Sequence, residues 1–123
     1  MSDYTYFTLD EFDCQETGEN EMSWVFLQSL DLLRGRCGFP FIITSGYRSP
    51  NHSIERVKHS PGVHSEGIAA DIRVRNGFER RDIVKHALDM DFYGIGVAKD
   101  FVHVDFRQLS NLPRVMWTYG ASV

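Results

Sequence analysis

Phe101-Val102-His103-Val104-Asp105-Phe106 alternates apolar and polar side chains, and that alternation is the signature of a β-strand. Successive side chains of a strand point to opposite faces, so His103 and Asp105 share one face and the two valines the other. The second constraint is helical. From Glu21 to Arg36 the apolar residues Met22, Val25, Phe26, Leu30 and Leu33 recur three or four apart. Arg34 and Arg36 fall in the last turn, and Gly38 and Pro40 supply a stop.

Other elements follow the same logic. Phe39 to Thr44 reads as a short buried strand ending at Ser45-Gly46, and Ala69 to Val74 as another. A second amphipathic helix spans about Glu79 to Asp89, with Ile83, Val84, Ala87 and Leu88 inward. Tyr93 to Val97 and Val115 to Tyr119 complete about five strands. Phe7, Leu9 and Phe12 suggest an N-terminal arm packed on the body. The prediction is one α+β domain over residues 1–123, with a small, mostly antiparallel sheet and about two packed helices.

Charge narrows the function classes. With 13 basic against 17 acidic side chains the chain carries a net charge of −4, which argues against a nucleic-acid binder. No apolar run approaches the roughly 20 residues that span a bilayer, and Met1 to Asp13 lacks the basic and apolar regions of a signal peptide. Cys14 and Cys37 are too few for a disulfide scaffold and read as reduced packing thiols. Oligomeric state is not written in the sequence.

The chemistry concentrates between Tyr47 and Asp105. Tyr47 to Gly67 is a long loop rich in Ser, Pro, Gly, His and charge, and loops of that length in small domains are usually functional. His64 and Asp71 flank Gly67, which permits a tight reversal, and Asp71 opens a strand where a lone carboxylate is costly to bury. Together with His103 they suit a three-ligand zinc shell with a fourth position for water. On spacing alone, hydrogen-bonded histidines and a capping or salt-bridged aspartate are the better reading, because the ligands come from separated segments. His52 and His59 read as solvated loop residues, His86 as structural, and Trp117 and Tyr119 as core packing in preference to groove walls.

Three ordered blocks carry a resemblance: Ser45-Gly46-Tyr47-Arg48-Ser49-Pro50, then Val63-His64-Ser65-Glu66-Gly67-Ile68-Ala69-Ala70-Asp71-Ile72, then Phe101-Val102-His103-Val104-Asp105. They resemble the zinc D-alanyl-D-alanine carboxypeptidase group (M15-type peptidases). That group includes bacterial DD- and LD-peptidases and bacteriophage endolysins, and shares its metal fold with the hedgehog signalling domain. His64, Gly67, Ala69 and Asp71 fall on its Ser-x-His-x-x-Gly-x-Ala-x-Asp pattern in register, while Gly62 stands where the group has Ser.

The resemblance implies one catalytic Zn2+ held by His64, Asp71 and His103. It implies Asp100, three residues before His103, as general base, with Asp105 as an alternative base or an orienting partner behind a ligand. Arg48 would steady the developing oxyanion or grip a substrate carboxylate, with Tyr47 and Ser45 as further substrate contacts. The implied substrate is a peptidoglycan stem peptide, cut as a DD-carboxypeptidase or endopeptidase or between L-Ala and D-Glu. The implied setting is cytoplasmic synthesis followed by release to the cell wall through phage lysis machinery, or carriage in a virion. The alternative expectation is a zinc-binding recognition domain without turnover.

Overall fold

The computed structural model describes residues 4–58 and 62–120, so His59 lies outside the described residues. A single-turn 3-10 helix at Leu9–Phe12 is followed by helix α1 (Trp24–Cys37) and strands β1 (Ile43–Ser45) and β2 (Ala69–Arg73). Helix α2 (Gly77–Asp89), strands β3 (Gly94–Val97) and β4 (Phe101–Asp105), a 3-10 turn at Arg107–Ser110 and strand β5 (Val115–Thr118) complete the order. The five strands form one sheet in the order β1-β2-β4-β3-β5. Every pairing is antiparallel except β3 with β5, which is parallel. The α+β architecture expected from the sequence is the one observed.

One face of the sheet is the core. Ala70, Ile72, Val102, Val104 and Ile95 are buried there with Phe26, Leu27, Leu30 and Leu33 of α1 and Ile83 and Ala87 of α2. Burying those aliphatic and aromatic side chains supplies the main stabilisation of a domain this small. The opposite face is left for the site, because the helices cover only one side.

Three boundaries differ from the sequence reading, each for a local reason. Helix α1 begins at Trp24 rather than Glu21, because Ser23 caps it by accepting a hydrogen bond from the Phe26 N–H. Residues 21 and 22 stay extended beneath the Gly67 turn, whose carbonyl accepts from the Ser23 N–H at 2.8 Å. Val25 is consequently half exposed and Leu27 takes the inward place. Helix α2 starts earlier, at Gly77, because the Asn76 side chain caps the Glu79 N–H, and its Leu88 faces outward. Strand β1 is only three residues long, and Ile42 is 50% exposed rather than buried. Pro40 has no N–H to give a ladder, and the register of this edge strand is irregular between Ile43 and Ser45. Leu9 is also exposed, whereas Phe7 and Phe12 pack inward as expected. Both cysteines are free and buried.

Candidate metal centre

Pairing register builds the site. Ser45 lies opposite Asp71, Asp71 opposite His103, His103 opposite Gly96 and Gly96 opposite Trp117. One transverse row thus crosses all five strands on the face away from the helices. A second row runs from Ala69 through Asp105 to Gly94. The small residues are required by their neighbours. A Cβ on Gly94 would overlap the Asp105 carboxylate, and one on Gly96 would meet the Trp117 ring at 2.7 Å. Glycine in these two strand positions buys space for larger functional side chains.

His64 reaches the same row from the loop. Gly67 holds φ +73°, and a Cβ there would collide with the Glu21 carbonyl, so the reversal after His64 needs glycine. The result is a buried cluster in which one ligand atom each from His64, Asp71 and His103 lie within 4.8 Å of one another. His64 Nε2 is 3.3 Å from Asp71 Oδ1, and His103 Nδ1 is 2.9 Å from the same oxygen.

The far nitrogen of each ring is also engaged. His64 Nδ1–H donates to the Gly46 carbonyl at 2.8 Å, which turns Nε2 towards the cluster. His103 Nε2–H donates to Asp105 Oδ2 at 2.6 Å, which turns Nδ1 inward. Such partners orient histidines that bind cations. Asp105 is itself fixed: Arg107 Nε donates to Oδ1 at 3.0 Å and Arg107 NH2 to Oδ2 at 2.8 Å. The Arg107 guanidinium lies 4.9 Å from the centre of the Trp117 ring, which in turn lies 5.1 Å from the His103 ring.

The buried groups shift one another's titration. Burial would push the Asp71 carboxyl up, but hydrogen bonds from His103 and His64 outweigh it and hold it well below the usual range. For Asp105, burial again works upward, and His103 and Arg107 bring the carboxyl down to about 2. Burial would lower His103, yet its bonds to Asp105 and Asp71 raise it. Two imidazole nitrogens and one carboxylate oxygen, converging and buried, make a donor set that fits a divalent ion.

Around this cluster opens a cavity of about 480 Å³. Its walls include Arg48, Lys58 and Gly62 from the loop, and Phe101, Trp117 and Tyr119 from the sheet. Trp117 and Tyr119 therefore wall the cavity, which corrects the core-packing expectation. β5 is an outer strand of the sheet, and Trp117 is half-buried while Tyr119 is 39% exposed.

The remaining sequence candidates divide. Arg48 NH2 lies 3.6 Å from Asp71 Oδ2, so the guanidinium stands beside the cluster. Ser45 accepts from Arg48 Nε at 3.1 Å and orients it. Tyr47 is buried away from the cavity and donates its hydroxyl to Glu21 Oε2, so it supports the loop instead of facing a ligand. Asp100 is exposed in the turn before β4 and is not among the residues lining the cavity. His52 is not solvated as expected: its Nε2 lies 3.2 Å from Glu16 Oε2 and pins the loop to the N-terminal segment.

Several residues escaped the sequence reading. Glu55 is 1% exposed and accepts from Arg48 NH1 at 3.3 Å, Lys58 Nζ at 2.9 Å and the Gly62 N–H at 2.8 Å. Burial acts to raise its carboxyl, but the Gly62 N–H and Lys58 bring it down to about 2. Glu66 lines the cavity and accepts from the Ser110 hydroxyl at 2.5 Å. Nothing in a charged loop marks these two carboxylates out; Gly94 and Gly96, spaced by two in a β-like run, did carry a readable signal.

Among the described residues no helix is long and apolar enough to cross a membrane. No curated protein matches the chain. The family model described as Peptidase M15 matches residues 5–105, a span that takes in His64, Asp71 and His103. A match over that much of the chain, on a fold that gathers those three side chains, makes this protein a member of the Peptidase M15 family.

Proposed function

We propose that the chain is a zinc-dependent peptidase that cuts a peptide bond in bacterial peptidoglycan stem peptides. The observation that carries the reading is the buried convergence of His64, Asp71 and His103 in a chain of this family. Zinc bound by these three residues supplies Lewis acidity towards a carbonyl and lowers the pKa of water. The chain's own groups do the rest. Gly46 and Asp105 fix the two imidazoles, and Arg48 offers a guanidinium to the negative charge that develops on the carbonyl oxygen. Trp117 and Tyr119 supply an aromatic wall for the substrate.

A proton must leave the attacking water and reach the leaving amine. Asp105 is unsuited to that transfer, since His103 and Arg107 occupy its oxygens. Asp100 is the acceptor in this reading, and Glu66 is the carboxylate to compare it with. A wall substrate would put the enzyme to work at the cell envelope, the setting of a phage lysis protein or a virion-borne hydrolase. A metal-binding module without turnover is the second reading, favoured by the position of Asp100 outside the cavity lining.

Digestion of purified peptidoglycan, followed by mass analysis of released fragments, separates them. The zinc-loaded protein should release peptide fragments, lose that activity to a chelator and regain it with zinc. Asp100→Ala should keep the metal and lose on the order of a hundredfold or more in rate, with Glu66→Ala close to wild type. Release that survives chelation would overturn the metal mechanism, and a tightly held zinc with no release at all would establish the second reading.

A further inference from the structure

We propose that Lys58 is a specificity residue of this cavity, a second cation that takes a carboxylate of the substrate and that Glu55 tethers in the cavity wall. The proposal rests on the reading of the cavity as a peptide site. Arg48 is the obvious anion receptor, yet its guanidinium is already engaged on three sides: Nε with Ser45, NH1 with Glu55 and NH2 beside Asp71. Two carboxylates flank that one cation, so by itself it leaves the wall negative. Lys58 restores the balance. Its ammonium spends one of three donors on Glu55 Oε2, its side chain is 41% exposed, and it lines the cavity. Arg107, also in the wall, commits Nε and one terminal nitrogen of its guanidinium to Asp105.

Gly62 leaves the arrangement uncrowded. A Cβ at this position would stand 3.2 Å from Lys58 Nζ and 3.6 Å from Glu55 Oε1. Backbone there is rigidly used, since the Gly62 N–H binds Glu55. A side chain at 62 would therefore crowd the flexible ammonium and shift it by a few tenths of an ångström. The departure noted in the sequence, glycine in place of serine, acquires a purpose: it leaves room for a lysine tethered to a buried glutamate.

The test uses the zinc-loaded protein and a soluble stem pentapeptide, supplied with free carboxylates or with every carboxylate converted to carboxamide. Binding is read by calorimetry and cleavage separately by mass. Wild type should bind the carboxylate form about tenfold more tightly, the range of one charge-assisted hydrogen bond. Lys58→Met should abolish most of that preference and Lys58→Arg should keep it. Gly62→Ser, which retains the lysine but crowds its ammonium, should reduce it in part. A wild type that binds both peptides equally, or a Lys58→Met variant that keeps the full preference, overturns the proposal. Preference that follows Lys58 without any cleavage supports the cation site and refutes the peptidase reading. Cleavage with a preference indifferent to Lys58 does the reverse.

Discussion

The two walls of the cavity are built by different physics. On the sheet wall, Asp71, His103 and Trp117 are placed by strand register, and their positions are fixed by a ladder that shares its opposite face with the core. The loop wall, described over residues 46–58 and 62–67, has no strand ladder among those residues. It is held by single contacts: Gly46 to His64, Glu55 to Arg48 and Lys58, His52 to Glu16, and the Gly67 turn on Glu21. A register-placed wall tolerates no local slip, because moving a strand by one residue turns its whole polar row into the core. A contact-placed wall changes one residue at a time. The sheet wall accordingly sets the ligand geometry, and the loop wall sets what surrounds a substrate.

Substitutions that strike one wall and spare the other sharpen this contrast. The largest effect belongs to the sheet. Gly94→Ala forces a methyl into the fully buried Asp105 carboxylate, so it should cost about 3 kcal/mol of stability. A denaturant melt of the metal-free protein measures it, and a loss near zero would mean that β3 and β4 are not in this register.

Next comes the loop's response to acid. The Glu55 carboxyl is held at about 2 against an ordinary 4.5. A depressed carboxyl contributes stability that is present above its unfolded value and is lost as pH falls through the folded one. The metal-free chain should therefore lose on the order of 2 kcal/mol between about pH 4.5 and pH 2 through this group. Comparing wild type with Glu55→Gln across that window isolates it: the difference should shrink as pH drops, and a constant difference would contradict the buried ionised state. The smallest effect lies behind the metal ligand. Asp105→Asn keeps a side chain on His103 but removes the charge that orients it, so zinc affinity should fall about tenfold with the fold intact. Zinc titration against a competing chelator reads the change, and an unaltered affinity would detach Asp105 from the metal.

Much of this was legible in the residues, and unevenly so. The alternation around His103 gave the strand, its polar face and the neighbourhood of Asp105, because period and geometry coincide there. Asp71 and His103 were recognisable as candidates, but their mutual register depends on long-range pairing that no local pattern encodes. Trp117 was misjudged for the same reason: an aromatic strand residue reads as core until the sheet order makes β5 an outer strand. Glu55 was invisible, since burial of a loop carboxylate is decided by how the loop closes around Arg48 and Gly62. Helix boundaries slipped by two or three residues where Ser23 and Asn76 took the cap positions.

Asp71 touches both histidines and stands between Ser45 and His103 in the transverse row, so it is the residue on which a shared ion depends. Equilibrium dialysis against zinc, with metal content measured per chain, tests that directly on wild type and Asp71→Ala. The account predicts about one tightly held ion in the wild type and none retained by the variant. A variant that holds zinc as firmly as wild type, or a wild type that holds none, would contradict it.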